Sequence, residues 1–323
     1  MIYNGSNKIG IAYTKRKHGA TIDDVIGNVS SGTLSAAVSN NLELYFNGVT
    51  TINKNALYGK FYNNTGLKKV EFPDLTTVYT YSLYAAFDQC TNLTYADLSH
   101  LTTFASSATY ALAYTFYGCS KLTSEAARFP NLTNISRDYG MYYIFGGCPK
   151  ITSFDLSALT TIDGQYGLGY GFYNCTGLTS ASFPALTSIA AYGLYYTFRY
   201  CPLTSFSAPN LTTAATYGFY YTFRNVTTLE TLSFPSLTTA SGDYTFRGMC
   251  YQCTGIKHIY FGGLTSSGLG SQKTKFYQML YGVTGCTVHF PSNLEAKIGT
   301  WSDVTAGFSG TNTVVLYDLP ATS

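Results

Sequence analysis

The stretch Phe172-Tyr173-Asn174-Cys175-Thr176-Gly177-Leu178-Thr179-Ser180-Ala181-Ser182-Phe183-Pro184-Ala185-Leu186-Thr187-Ser188-Ile189 decides the architecture, because its frame returns along the chain. Phe87, Cys90, Leu93, Leu98, Leu101 and Phe104 occupy the same positions, as do Phe145, Cys148, Ile151, Leu156, Leu159 and Ile162. So do Phe223, Val226, Leu229, Phe234 and Leu237. The cysteine position recurs at Asn64, Cys90, Cys119, Cys148, Cys175, Cys201, Val226, Cys253 and Val283, in steps of 25 to 30 residues. A period in this range is the mark of a stacked repeat, whose single unit cannot bury its own apolar face. The chain therefore extends one core by stacking and does not divide into two ordinary domains, as 323 residues would otherwise suggest.

Within each unit, the Leu-Thr-Ser-x-x-Phe-Pro and Leu-Thr-Thr segments are short, rich in β-formers and bounded by Gly, Asn or Pro. They read as strands that pair in parallel with their counterparts in the next rung. Proline closes the first strand, because it has no N–H to give to the ladder. The segment before each cysteine has another pattern, as in Tyr192-Gly193-Leu194-Tyr195-Tyr196-Thr197-Phe198 and Tyr217-Gly218-Phe219-Tyr220-Tyr221-Thr222-Phe223. At 100° per residue, Leu194, Phe198 and Cys201 share one sector, while Tyr192 and Tyr196 lie opposite. This spacing predicts a short Tyr-rich helix in each rung. Phe246 to Cys250 and Phe276 to Leu280, both at i, i+4, predict one more turn of that helix in the last two rungs. The expected fold is an α/β repeat, a solenoid of short parallel strands and short Tyr-rich helices over residues 46–290. Residues 1–45 are expected as an N-terminal cap or attachment segment, with the basic run Lys15-Arg16-Lys17-His18 and apolar Val25, Ile26, Leu34 and Val38. Residues 291–323, with the single Trp301, are expected as a C-terminal cap.

The cassette Phe-x-x-Cys-x-x-Leu-Thr-Ser-x-x-Phe-Pro-x-Leu-Thr-Ser-Ile resembles the BspA-type leucine-rich repeat over roughly residues 46–290. The departures are longer rungs and the Tyr-rich insert. The resemblance implies a leucine-rich-repeat solenoid of the kind found in surface proteins of gut and oral microbes, where such proteins are associated with adhesion. The opening Ile2-Tyr3-Asn4-Gly5-Ser6-Asn7-Lys8-Ile9 also resembles the start of tail-associated proteins of phages and prophages.

Repetition of the Tyr segment makes rows of tyrosine along one side. Inter-rung ring packing with wet hydroxyls explains them, and so does a contact surface, since tyrosine supplies large amphipathic area at little entropy cost. Arg199, Arg224 and Arg247 each follow a rung's Phe, which predicts a ladder of three guanidinium groups about 5 Å apart. With Tyr196, Tyr221, Tyr244, Tyr192 and Tyr217 beside it, this ladder is the candidate ligand-binding site, for an anion or a glycan. Solvated arginines stacked on tyrosine are the plainer reading.

Other chemistry is sparse. Eight cysteines fall mostly in the repeat frame, and valine replaces cysteine there at positions 226 and 283, which favours a reduced, buried filler. Rung spacing still permits cross-rung disulfides. Cys250-x-x-Cys253 has no second pair at metal spacing. His18, His100, His258 and His289 share no common frame; His100 reads as a solvated loop residue, and His258 and His289 as surface or edge residues. Asp97, Asp155 and Asp163 form no ladder for calcium, and no phosphate loop is present. The sequence therefore predicts no enzyme, no metal and no cofactor.

A net charge of +3 with 11% charged residues gives no basic face for nucleic acid, and 31 Tyr with 21 Phe exclude ordinary disorder. No export signal and no apolar run of about 20 residues is seen, so no membrane insertion is expected. The expected setting is a microbial cell surface or a phage virion. The expected function is recognition of a cell-surface glycan or protein, with residues 1–45 available to other virion or surface proteins. The alternative is a structural virion or filament component that self-assembles through the solenoid or its N-terminal segment.

Overall fold

The computed structural model describes residues 42–270, 274–298 and 311–317, together with the short strands Ile2–Asn4, Asn7–Ile9 and Ala20–Thr21. The basic run at 15–18, the apolar positions at 25, 26, 34 and 38, and Trp301 lie outside the described residues.

Each full turn of the chain has three sides. The Leu-Thr-Ser-x-x-Phe-Pro segments form the first, in strands such as Ser180–Ser182, which pairs in parallel and in register with Ser205–Ser207. Farther along, Thr231–Ser233, His258–Tyr260, Thr287–Pro291 and Thr313–Tyr317 continue side by side, all parallel. At the other end, Leu42–Tyr45 pairs in parallel with Leu67–Glu71 and antiparallel with Ile2–Asn4. The sheet thus runs on at both margins of residues 46–290. The Leu-Thr-x-Ile segments form the second side, where Asn134–Ile135, Thr161–Ile162, Ser188–Ile189 and Thr213–Ala214 stack in parallel. The threonine before these strands has a fixed task. Thr160, Thr187, Thr212 and Thr238 each donate their hydroxyl to the carbonyl of the equivalent threonine one rung back, at 2.9–3.2 Å.

The third side corrects the helix expectation. The Tyr-rich segments are not helical; they form a ribbon of successive tight turns whose hydrogen bonds divide by parity. In one rung the N–H groups of Tyr139, Met141, Tyr143, Phe145 and Gly147 donate to carbonyls of the next rung, at 2.7–2.9 Å. The alternate N–H groups, of Tyr142, Ile144 and Gly146, close turns onto the carbonyls three residues back. Every fourth residue takes a left-handed conformation, as Tyr139 (φ 57°), Tyr143 (φ 53°) and Gly147 (φ 72°) show. An α-helix is about 10 Å across, which consecutive rungs about 4.8 Å apart leave no room for unless that side fans open. It does not fan, because rings on this side stack at that same pitch. The apolar i, i+4 spacing suits a ribbon repeating every four residues as well as it suits a helix.

The core is filled from all three sides. Phe61, Phe87, Phe116, Phe145, Phe172, Phe198 and Phe223 form a buried spine with centroids 5.4–6.0 Å apart. At the next rung the spine steps sideways by one turn and continues as Phe219, Phe246 and Phe276. Cys250 takes the place opposite Phe223, so Phe246 and Phe276 mark a shifted phenylalanine and not a lengthened segment. All eight cysteines are buried and free. The six in the repeat frame donate their thiols to a phenylalanine carbonyl of the preceding rung, as Cys148 does to Phe116 at 3.1 Å and Cys201 to Phe172 at 2.9 Å. Gly177, two residues beyond its cysteine, lets rungs close up: a Cβ there would stand 2.4 Å from the carbonyl oxygen of Pro149.

Phe172→Ala removes a spine ring with neighbours on both sides and should destabilise the fold by about 3–5 kcal/mol, read as a lowered urea midpoint. Burial pushes the thiols of Cys90, Cys175 and Cys286 up to about 12, and the others upward too where a shift is resolved. A thiol reagent at pH 8 should therefore label none of the eight in the native protein and all eight in denaturant. Stoichiometric labelling without denaturant would contradict the reduced, sealed core.

Candidate functional site

The turn ribbon carries most of the tyrosines, and its conformation decides where they point. Among the described residues, thirteen tyrosines have φ between 50° and 65°, a region that disfavours side chains of this size. The left-handed geometry costs about 1–2 kcal/mol per residue. Two contacts offset it along the ribbon: a stacked ring, worth about 0.5–1.5 kcal/mol, at every one of them but Tyr200, and a cross-rung backbone hydrogen bond, worth a similar net amount, as at Tyr143 and Tyr196.

The result is two files of stacked rings. Tyr81, Tyr110, Tyr139, Tyr166, Tyr192, Tyr217 and Tyr244 follow one another at 4.3–5.2 Å with ring planes within 14°. Tyr114, Tyr143, Tyr170, Tyr196 and Tyr221 form the second file, at 4.3–5.1 Å. Between the files Tyr142 stands edge-on to Tyr139 (82°) and Tyr170 (87°), and Tyr195 edge-on to Tyr192 (70°) and Tyr170 (75°). Gly248 ends the second file: a Cβ there would lie 2.4 Å from the Tyr221 ring. The Tyr221 hydroxyl instead reaches two rungs on, to Gln278 Oε1 at 3.1 Å.

This packing separates the candidate residues. Tyr196 and Tyr221 are buried at 9% and 7% exposure, so their ring faces are closed to a ligand. Tyr192, Tyr217 and Tyr244 are half-buried in the first file; stacked neighbours cover both ring faces of Tyr192 and Tyr217 and one face of Tyr244. Sequence reasoning passed over the four most open rings among the described residues: Tyr62 (55%), Tyr58 (49%), Tyr281 (47%) and Tyr200 (39%). Three of them lie in the first and last rungs, a position the repeat count itself could have flagged.

The three-arginine ladder is corrected. Tyr200 donates its N–H to the carbonyl of Arg224, which places Arg199 and Arg224 at equivalent points of adjacent rungs. Asn225 donates to Tyr251 and Tyr221 to Arg247, so Tyr251 follows Arg224 in the row, and Arg247 sits one turn earlier, in register with Tyr220. The cause is the sideways step of the spine, which carries Phe246 and the residue after it into another row. Each guanidinium is set among rings: Arg199 with Tyr173, Tyr196 and Tyr200 at 4.6–5.7 Å, Arg224 with Tyr221 and Tyr251 at 4.7–5.3 Å, and Arg247 with Tyr220, Tyr244 and Tyr277 at 5.1–5.5 Å. Arg199 also donates to the Tyr200 hydroxyl at 2.9 Å, and Arg224 to that of Tyr196 at 3.4 Å. The Nε of each arginine is buried and has no hydrogen-bond partner.

Ionisable groups also gather at an open cleft of about 170 Å³ lined by Asp97, His100, Glu125 and Arg128. They already have partners: Asp97 accepts the Ser99 N–H at 2.9 Å, and Arg128 pairs with Glu125 at 3.0 Å. Among the described residues, no group of three or more His, Cys, Asp or Glu is arranged to hold a metal ion.

Comparison with known proteins follows the architecture. The model of the BspA type leucine rich repeat region matches residues 37–166, 86–223 and 141–268. The chain belongs to this family, and its fold is the leucine-rich-repeat solenoid of parallel strands. Among solved structures, the chain is similar to a leucine rich cell surface protein from Faecalibacterium prausnitzii A2-165, at 13% identity over 87% of this chain and 89% of that one, with a TM-score of 0.24. It is also similar to the protein chain of a TLR13–ssRNA13 complex, at 14% identity over 92% of this chain and a TM-score of 0.30. The chain spans 45% of the length of that second protein. No curated protein matches.

The tyrosine files make stability sensitive to alkali. Burial first, then the neighbouring phenols, push Tyr110, Tyr114 and Tyr192 up to about 12, and Tyr142, Tyr143, Tyr170 and Tyr195 upward as well. A phenol with a raised pKa in the fold contributes stability that is complete below pH 10 and lost as pH rises through 12. Absorbance at 295 nm should show a late titrating fraction that ionises together with unfolding. A single transition near pH 10 with the fold intact would contradict the stacked files.

Proposed function

We propose that this protein is a non-enzymatic recognition protein that binds a cell-surface glycan or protein through the rim of its turn ribbon. Family membership supports the recognition role in general terms, because leucine-rich-repeat solenoids serve as binding scaffolds. The observation that carries the finer reading is the Arg199–Arg224 pair, two guanidinium groups in one row on adjacent rungs with the exposed Tyr200 beside them. Their spacing suits an anionic or polyhydroxyl ligand lying across rungs, with tyrosine hydroxyls as further donors. Tyr192, Tyr217 and Tyr244 contribute ring edges and hydroxyls, and Tyr196 and Tyr221 hold the arginines from beneath. Arg247 forms a separate point of contact. The proposed setting is a microbial surface or a phage virion, and residues 1–45 serve as the attachment segment.

A second reading, assembly with further copies, draws on the terminal strand Thr313–Tyr317, where Val314 and Val315 are 39% and 40% exposed at the margin of the sheet. The two readings part in one experiment. Purified protein is screened against a glycan array and whole microbial cells beside Arg199→Ala/Arg224→Ala and Arg247→Ala, with sizing chromatography of each. The expected result is a monodisperse chain whose binding falls at least about tenfold in the double variant and less in the single one. Binding indifferent to all three arginines would overturn the assignment of the site. No binding together with concentration-dependent oligomers would overturn the recognition role in favour of assembly.

A further inference from the structure

The sequence sets the four histidines in no common frame, yet the sheet brings two of them together. His258 lies in the strand His258–Tyr260 and His289 in the neighbouring parallel strand Thr287–Pro291, with His258 opposite Thr287 and Tyr260 opposite His289. Alternation along the strands sends Ile259 and Val288 into the core at 0% exposure and turns His258, Tyr260 and His289 outward. His258 Nδ1 stands 3.3 Å from His289 Nε2. The Tyr260 ring lies flat against the His289 ring, with centroids 4.1 Å apart and planes within 11°.

We propose that His258 and His289 form a two-histidine binding site for a borderline divalent metal ion such as Cu²⁺, Ni²⁺ or Zn²⁺. The separation of the facing nitrogens carries the argument. Two imidazole nitrogens, each about 2.1 Å from a shared ion and 3.3 Å from each other, subtend about 104° at that ion. That angle lies between the right angle of tetragonal Cu²⁺ or Ni²⁺ and the tetrahedral angle of Zn²⁺. The rings face each other nearly head-on, with centroids 5.5 Å apart, so each swings about its side-chain torsions to aim its lone pair at the ion. Imidazole is a ligand that suits all three ions. In the metal-free pair one facing nitrogen carries a proton that the other accepts. Binding moves that proton to the far nitrogen of its own ring, leaving two neutral imidazoles with both facing lone pairs on the ion, and no net proton is lost. The parallel sheet fixes both backbones and Tyr260 stacks on the His289 ring, which limits the entropy that binding must remove. The nearby cation Lys257 is tied to Glu230 at 2.7 Å. With no third His, Cys, Asp or Glu in reach among the described residues, water completes the coordination.

The test uses the whole chain without an affinity tag, titrated with Cu²⁺, Ni²⁺ and Zn²⁺ at pH 7.5 by calorimetry. One ion per chain is expected, with affinity lowered at least about tenfold in His258→Gln and in His289→Gln, and unchanged in His18→Gln and His100→Gln. A thermal melt of each variant checks that it still folds. Paramagnetic resonance of Cu²⁺ on the unaltered chain supplies a readout that needs no variant: hyperfine coupling to two imidazole nitrogens is expected. Absence of binding at millimolar ion, affinity indifferent to both substitutions, or a Cu²⁺ spectrum without nitrogen coupling would each overturn the proposal.

Discussion

The repeat distance between rungs governs this molecule. Parallel strands on two sides require neighbouring rungs to sit about 4.8 Å apart, and the third side must close the same turn at the same pitch. An α-helix satisfies its own backbone and is too wide for that pitch. The turn ribbon meets the constraint by sending half of its N–H groups to the next rung and using the other half to close its own turns. Every side of the solenoid is then hydrogen-bonded to its neighbours, and buried backbone groups find partners without a helix.

The same pitch explains the composition. A flat ring stacks at 4.3–5.2 Å, so a tyrosine repeated at one position of each rung finds its partner at close to the rung distance. The left-handed backbone that carries it would be strained in isolation, but here it is held by a stack on either side and by a cross-rung hydrogen bond. The threonine hydroxyls and cysteine thiols obey the same rule, each reaching back one rung to a carbonyl. The excess of Tyr, Thr and framed Cys is the outcome of one spacing imposed on three sides. Much of the tyrosine face is therefore spent on its own cohesion, and contact chemistry is left to ring edges, hydroxyls, the arginines and the open rings such as Tyr62, Tyr200 and Tyr281.

The strand segments, the buried Leu and Phe positions and the nature of the cysteine position were legible in the sequence, because each depends on a pattern repeated nine times. The helix was misread because apolar residues at i, i+4 mark a four-residue ribbon as well as a helix, and the periodicity of side chains does not reveal where N–H groups go. The signal was present in another form: Gly147, Asn174 and Asn225 share one row of the ribbon, and Gly and Asn are the residues that tolerate left-handed geometry. The arginine site was half legible. Arg199 and Arg224 fall in one row, whereas Arg247 follows a phenylalanine that has moved by a turn, a slip visible only once Phe246 is seen on Phe219.

By itself, the sequence determined that the chain is a stacked repeat with one continuous core, since burial of a recurring apolar frame requires only that units of equal length lie side by side. Tertiary structure alone decided which backbone joins the strands, which arginines share a row, and that His258 and His289 face each other at 3.3 Å. Those outcomes depend on register between rungs. Register is set by the sum of many weak contacts across the stack, and no single repeat contains the information to fix it.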